Sequence, residues 1–163
     1  MKKFIFILPI LILMLIFYFS EQGPKQSTNQ SRSFLNFIEN SRLTNNPTVK
    51  QSTRFIISKT FLNNYKTKEA ILRKIAHLTL YMVLSILFCF SIYIKIKKIK
   101  YSLILGIIIP TIFAFLDELH QTFVGRSGSL KDVLVDFKGV FLGSIIFYIM
   151  FLIYKKIKTI KLG

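Results

Sequence analysis

Four long apolar runs restrict, more than any other feature, how this chain can fold. They cover about residues 4–19, 69–94, 101–124 and 130–154. As helices, the last three would each be roughly 36 to 40 Å long, enough to cross a bilayer with some tilt. Apolar residues make up 52% of the chain, more than one buried core requires. We predict an all-α membrane protein, a four-transmembrane-helix bundle in one domain over residues 1–163.

The first run has no sign of being removed. Lys2 and Lys3 precede it, as in a secretory signal, but "FYFSEQG" offers no pair of small residues suited to cleavage. We therefore interpret residues 4–19 as an uncleaved anchor.

Most of the positive charge lies at the ends of the apolar runs. The net charge is +16, and lysines cluster in "MKKF", "KIKKIK" and "YKKIKTIK". No basic face alternates with exposed stacking aromatics, so nucleic-acid binding is not expected. Under the positive-inside rule, both termini and the "KIKKIK" link are cytoplasmic, whereas residues 20–68 and 125–129 are outside. Cys89 lies within an apolar run and has no second thiol with which to form a disulfide.

The predicted outer loop, residues 20–68, begins with a stretch rich in Ser, Thr, Asn and Gln, for which we predict a mobile chain. Two later stretches, "SFLNFIEN" and "RFIISKTFLNNY", have apolar residues at partly helical spacing. They predict short helices that either lie on the outer membrane surface or pack as caps over the bundle.

The few acidic residues are concentrated beside lipid. The chain has seven Asp and Glu, and four of them lie within residues 114–139, between two very apolar runs. His77, Asp117 and Asp136 would lie roughly 9 to 12 Å below the same end of three helices. A charged group at that depth costs several kcal/mol unless it meets a partner or water. We therefore predict one buried polar site, with counter-charges from Arg73, Lys74 and Arg126.

Helical spacing places the polar residues of each run on one face. These faces comprise Lys74, His77 and Tyr81; Asp117 and His120, flanked by Glu118 and Gln121; and Asp132, Asp136, Gly139 and Gly143. The two glycines form a small-xxx-small step, which lets another helix approach closely. The acidic stripe of the last run thus continues into a predicted helix-packing seam.

Several of these residues also have a purely structural interpretation. "SLKD" matches a capping box, so Asp132 could serve only to cap the last helix. His77 could be a hydrogen-bonded packing histidine, and Glu118 could reach the interface by snorkelling. Gly125 is expected to end the third helix, with Gly128 in the turn that follows.

The sequence excludes some chemistries and leaves others open. "GRSGS" is not a nucleophile elbow, and the chain has no Gly-rich phosphate loop and no H-E-x-x-H motif. Two histidines and several carboxylates could hold a divalent metal, but "DELH" is not a diagnostic spacing, so we assign no metal and no cofactor. His120 with Asp117 or Asp136 could perform acid–base chemistry, and Arg126 could bind a phosphate or carboxylate.

Two stretches carry a resemblance to a known family. "RKIAHLTLY" and "DELHQTFVGRSGSLKDVLVDFKGVFLG" resemble the signature of the VanZ-like membrane proteins, and the likeness covers nearly the whole chain. Val124 departs from the pattern, since many members have a proline there. The motif positions fall on Lys74, His77, Tyr81, Asp117, Glu118, His120, Gln121, Arg126, Asp132, Asp136, Gly139 and Gly143.

The resemblance implies a phenotype and not a reaction. It implies low-level resistance to teicoplanin, a lipoglycopeptide. The composition, rich in Ile, Lys, Asn and Phe, indicates an AT-rich genome, compatible with a Gram-positive bacterium. One hypothesis is a binding protein whose outward pocket holds a membrane lipid, a lipid-linked cell-wall precursor or the lipoglycopeptide itself. A second is a membrane enzyme that acts on a lipid-linked phosphate or acyl group, with His120, Asp136 and Asp117 as candidate catalytic residues. A third is that the polar site only locks the helices together.

Overall fold

The computed structural model describes residues 5–40, 67–126 and 128–160, which form five helices and no strand. The helices are α1 (Ile7–Glu21), α2 (Pro24–Asn40), α3 (Lys68–Ile96), α4 (Ile99–Phe123) and α5 (Leu130–Ile160). The prediction of an all-α protein is confirmed for this part of the chain.

Helices α3, α4 and α5 are each long and apolar enough to cross a membrane. Their ends lie close to the predicted ones, except that α5 continues past residue 154 to Ile160. Large apolar side chains such as Phe90, Ile112 and Ile149 are about half exposed on their outer faces. Side chains of this kind, repeated along three long helices, suit contact with lipid and not with water. The chain is thus a helical membrane protein.

The first apolar run forms a shorter helix than the single span that the sequence predicts. Helix α1 has 15 residues, about 22 Å, which is shorter than a hydrocarbon core of about 30 Å. It is followed by α2 at an angle of 110°, as in a broken span or a re-entrant loop. The described residues therefore contain three helices that can cross a membrane, or four if this bent pair forms one span.

Helix α2 replaces the mobile stretch predicted at the start of the outer loop. Pro24 occupies its first position, where the missing N–H costs nothing. Its polar side chains find partners on the first turns of α3. Arg73 Nη1 donates a hydrogen bond to Ser27 Oγ at 3.3 Å, and Arg32 Nε lies 3.5 Å from Glu69 Oε1. The composition alone did not reveal these tertiary partners, which link α2 to the start of α3.

The predicted surface helix "SFLNFIEN" forms the second half of α2. Ser27 and Ser31 in the first half are buried against the bundle, whereas Phe34 and Phe37 are 51% and 71% exposed. Helix α2 therefore packs as a cap at its start and presents aromatic side chains further along. The other predicted surface helix, "RFIISKTFLNNY", lies outside the described residues.

The packing contacts show how the helices are directed. Ser91 Oγ donates to Ile5 O at 2.9 Å, and Gln121 Nε2 donates to Ser20 Oγ at 3.4 Å. Helix α1 thus runs antiparallel to α3 and parallel to α4. One end of the bundle, here called the lysine end, contains the start of α1, the α3–α4 link and the end of α5. The opposite end, the polar end, contains α2 and the α4–α5 turn.

Helices α3 and α5 touch through their backbones. A Cβ on Gly139 would lie 2.3 Å from Leu78 O, and a Cβ on Gly143 would lie 2.2 Å from Met82 O. Only hydrogen fits at these positions, which is the close approach that the small-xxx-small spacing predicts. We refer to this contact as the glycine seam.

A proline shapes the contact between α3 and α4. Pro110 lies inside α4 and has no N–H to offer to Gly106 O, its partner four residues earlier. Ser85 Oγ on α3 donates to that oxygen at 3.0 Å instead. Gly106 also lacks room for a side chain, because a Cβ there would be 2.2 Å from Cys89 Sγ. The proline thereby links the two helices through one buried hydrogen bond.

The turn between α4 and α5 follows the glycine prediction but not the capping prediction. Gly125 has φ of 76°, a left-handed conformation just beyond the end of α4 at Phe123. In a capping box, Asp132 would accept the Ser129 N–H. Here Glu118 Oε1 accepts it, at 2.9 Å. Ser129 Oγ caps α5 by accepting the Lys131 N–H at 3.2 Å.

Candidate functional site

Three membrane helices bring one histidine and two aspartates together near the polar end. His77 Nδ1 on α3 lies 3.7 Å from Asp117 Oδ2 on α4 and 4.0 Å from Asp136 Oδ2 on α5. His77 is 6% exposed, and both aspartates are fully buried. We call these residues the buried triad. Their meeting is the convergence that similar helical depths predict.

The buried triad is poorly satisfied within the described residues. No hydrogen-bond partner is present there for His77 Nδ1, for Asp117 Oδ1 or for either carboxylate oxygen of Asp136. Buried polar atoms without partners are rare in proteins and each costs free energy. If the triad served only as packing, it would lower the stability of the fold. Its unpartnered atoms instead suit contact with a ligand, an ion or a proton.

Two neighbouring polar side chains surround the triad. Gln121 Nε2 donates to Asp117 Oδ2 at 2.9 Å, which fixes the orientation of that carboxylate. The Tyr81 ring lies 6.5 Å from the His77 ring, and the Tyr81 hydroxyl is buried without a hydrogen-bond partner in the described chain. Both side chains belong to the predicted site, and the structure places both of them beside the triad.

Lys74 and Asp132 form a buried ion pair next to the triad. The Lys74 Nζ to Asp132 Oδ2 distance is 2.9 Å, with side-chain exposures of 9% and 11%. The interpretation of Asp132 as only a helix cap is therefore wrong. Glu118 is 4% exposed and accepts the Ser129 N–H, so it does not snorkel to the interface either.

Two arginines lie at the polar end. Arg73 on α3 and Arg126 in the α4–α5 turn are close enough to interact electrostatically with each other and with His77. Arg126 Nη1 is buried without a hydrogen-bond partner in the described chain. Arg73 Nη1 donates weakly to Ser27 Oγ and Thr28 Oγ1, at 3.3 and 3.4 Å. A phosphate or carboxylate group could bind both guanidinium groups here.

His120 lies outside the triad and faces α1. Its Nε2 is 2.7 Å from Glu21 Oε2, and its ring makes an edge contact with Phe17. Of the two predicted partners of His120, Asp136 is therefore not paired with it, whereas Asp117 is close enough to interact with it electrostatically. His77 is the histidine beside Asp136.

The sequence reasoning assigned no role to two residues that reach the site from α1. Ser20 Oγ accepts a hydrogen bond from Gln121, and Glu21 pairs with His120. Both residues end the first apolar run. If the chain crosses the membrane four times, the end of the first run lies at the same level as the α4–α5 turn. That topology alone could have predicted that Ser20 and Glu21 lie near the site.

A surface groove of about 150 Å³ opens between α4 and α5 at the polar end. Its lining is mostly apolar, and Glu118 connects it to the polar residues of the site. The other lining residues are Phe115, Leu119, Thr122, Gly128, Ser129, Leu130 and Val133.

Comparison with known protein families supports the resemblance that the motifs indicate. A model of the VanZ/LLP1 family matches residues 4–152, a range that includes the whole of the site described above. No curated protein and no solved structure is significantly similar to the chain.

Proposed function

Because the chain belongs to the VanZ/LLP1 family, a group of membrane proteins linked to antibiotic resistance, we propose that it limits the action of lipoglycopeptides such as teicoplanin. It does so by binding an envelope lipid, or the headgroup of a lipid-linked cell-wall precursor, at the polar end of the bundle. The observation that carries this proposal is the buried triad, whose polar atoms lack partners in the described chain. A purely structural bundle would lose free energy by retaining them.

The charge distribution supports an outward-facing site. Exposed lysines gather at the lysine end of the bundle, at Lys95, Lys97, Lys98, Lys100, Lys155, Lys156 and Lys158. Under the positive-inside rule this end is cytoplasmic, so both termini are inside the cell. The triad, α2 and the α4–α5 turn then lie near the outer face, where headgroups and lipoglycopeptides are found.

The side chains around the triad suit an anionic headgroup. Arg73 and Arg126 supply two positive charges beside the site, and Arg126 Nη1 is a buried donor without a hydrogen-bond partner in the described chain. Exposed Phe34 and Phe37 on α2 can enter the interfacial region of the membrane. A phosphorylated lipid headgroup would satisfy the arginines while its chains remain in the bilayer.

The test is antibiotic susceptibility in a Gram-positive host that expresses the wild type or one of three variants. Asp136→Asn and His77→Gln alter the triad, whereas Glu69→Gln is a matched change in an acid outside it. We expect the wild type and Glu69→Gln to raise the teicoplanin concentration needed to stop growth more than that of vancomycin. The two triad variants should lose this protection while their membrane abundance, measured by immunoblot, stays normal. A wild type that gives no protection contradicts the proposal.

A second candidate function is catalysis on a lipid-linked phosphate or acyl group. The position of His77 between two carboxylates favours it. The Nδ1–oxygen distances are 3.7 and 4.0 Å, and an approach of about 1 Å would bring these groups within the reach that proton transfer requires. An enzyme should lose nearly all activity with His77→Gln. A binding protein should weaken gradually, for example with Arg126→Lys, which keeps the charge. Mass spectrometry of membrane lipids from expressing cells separates the two, because only an enzyme changes a lipid or precursor.

A further inference from the structure

We propose that the buried triad binds one divalent transition-metal cation, Zn²⁺ or Mn²⁺, within the membrane bundle. His77 contributes Nδ1, and Asp117 and Asp136 each contribute a carboxylate oxygen. This inference rests on the proposed function only in treating the same cluster as the functional site. Metal binding can be measured without any antibiotic, so the two can fail separately.

The geometry is close to that of a bound metal ion. The ligand atoms of His77, Asp117 and Asp136 all lie within 4.8 Å of one another. Zinc–nitrogen and zinc–oxygen bonds of about 2.1 Å place tetrahedral ligands about 3.4 Å apart. The observed Nδ1–oxygen distances of 3.7 and 4.0 Å need only a small inward rotation of the side chains. Each residue comes from a different helix, so the ion would join α3, α4 and α5.

Within the described chain, Lys74 acts on Asp136 and Arg126 acts on Asp117 electrostatically, but neither cation makes a direct ion pair with a triad carboxylate. Both oxygens of Asp136, Oδ1 of Asp117 and Nδ1 of His77 have no hydrogen-bond donor or acceptor there. Lys74 makes its ion pair with Asp132 and not with a triad residue. Two buried carboxylates facing each other across an imidazole repel one another, and a divalent cation removes that repulsion.

The mixture of ligand atoms restricts the kind of cation. Magnesium and calcium prefer oxygen ligands only, whereas an imidazole with carboxylates suits Zn²⁺ or Mn²⁺. The site has no thiolate, because Cys89 is the chain's single cysteine and is buried against Gly106. Three protein ligands leave at least one position open for water or for an oxygen of a ligand.

The surroundings resemble the outer shell of a metal site. Gln121 Nε2 holds Asp117 Oδ2 at 2.9 Å, and such outer-shell hydrogen bonds orient metal ligands. Gln121 is itself 2% exposed and bonded to Ser20, so its position is fixed. Removing it by Gln121→Leu should weaken metal affinity by roughly 10- to 100-fold.

The test measures metal in the full chain, purified in detergent, stripped with EDTA and then loaded with ZnCl₂ or MnCl₂. After desalting, plasma mass spectrometry gives the metal content per chain. We expect the wild type and Glu69→Gln to retain one equivalent, and His77→Gln, Asp117→Asn and Asp136→Asn to retain almost none. His120→Gln, a change in the chain's other histidine, should retain the ion. Metal-free wild type after loading, or equal retention by the triad variants, overturns the proposal.

A second measurement tests the ligand set without the triad variants, in case circular dichroism and gel filtration show that these variants do not fold. Mn²⁺-loaded wild type is examined by electron spin echo envelope modulation, which detects nitrogen bound to the metal. A nitrogen coupling that persists in His120→Gln assigns the ligand to His77. The absence of nitrogen coupling in the wild type overturns the proposed ligand set. Metal retention without antibiotic protection would contradict the proposed function alone.

Discussion

The two halves of the bundle differ in whether their buried polar groups have hydrogen-bond partners. Around the glycine seam and towards the lysine end, buried serines donate to backbone carbonyls. Examples are Ser85 to Gly106 O, Ser91 to Ile5 O and Ser144 to Phe141 O. At the polar end, the carboxylates and imidazole of the buried triad lack hydrogen-bond partners in the described chain. The same helices α3, α4 and α5 run through both halves.

The difference separates the contacts that stabilise the bundle from the polar cluster that we propose to be functional. Backbone contact at Gly139 and Gly143 fixes the register of α5 on α3. That register also determines how close Asp136 comes to His77, a few residues away on the same two helices. A rigid seam can therefore hold costly polar groups in a fixed geometry, which is how a precise site is built on helices.

The largest effect on stability is expected at the Lys74–Asp132 ion pair. Lys74→Met leaves Asp132 as a buried charge without its lysine, and losing one partner of a buried pair costs about 3–5 kcal/mol. The free energy of unfolding can be measured in mixed micelles of SDS and mild detergent. The double variant Lys74→Met, Asp132→Leu should recover part of that stability, because the carboxylate that lost its lysine is removed as well.

The double variant also tests the comparison between the two halves. If the polar end is functional, antibiotic protection stays lost even where stability has returned. Recovery of both stability and protection would show that the pair is only structural, and the contrast between the two halves would be weaker than proposed.

The sequence predicted α3, α4 and α5 well because each apolar run is long and bounded by lysines or by the glycine turn. It also predicted the meeting of His77, Asp117 and Asp136, since helical rise determines depth. It did not predict α2, because the residues that its polar side chains contact, Arg73 and Glu69, lie far along the chain. Nor did it predict the pairing of His120 with Glu21, which are 99 residues apart. Local patterns determine which face a residue occupies but not which distant helix covers it.

A smaller loss of stability is expected at the glycine seam. Gly143→Ala would place a Cβ 2.2 Å from Met82 O and 3.0 Å from Ser85 Cβ, so α5 must move away from α3. Overpacking of this kind costs about 1–3 kcal/mol, measured as the change in unfolding free energy. The matched change Gly23→Ala has no atom within 4 Å of the new Cβ and should stay within about 0.5 kcal/mol of the wild type.

The same seam variant bears on the metal site. A shift of α5 moves Asp136 away from His77, so Gly143→Ala should also weaken metal binding, although it touches no ligand. If Gly143→Ala loses stability and keeps full metal affinity, the seam does not determine the geometry of the triad.

The smallest effect is expected at the hydrogen bond that Pro110 makes necessary. Ser85→Ala leaves Gly106 O without a donor, because Pro110 has no N–H for it. Interhelical hydrogen bonds in membranes average roughly 0.6 kcal/mol, and we expect about 1 kcal/mol here since the carbonyl loses its bond. Ser144→Ala is the matched control, because Ser144 Oγ bonds within its own helix to Phe141 O. It should cost less.

A double-variant cycle identifies the cause of that loss. Pro110→Ala restores an N–H four residues after Gly106, so the carbonyl no longer depends on α3. In that background Ser85→Ala should cost clearly less than it does beside the proline, and the difference between the two costs is the coupling energy. Equal costs in both backgrounds would mean that the Ser85 hydroxyl contributes in another way than by satisfying Gly106 O. The contrast between the two halves would then rest on other buried serines, such as Ser91, which donates to Ile5 O at 2.9 Å.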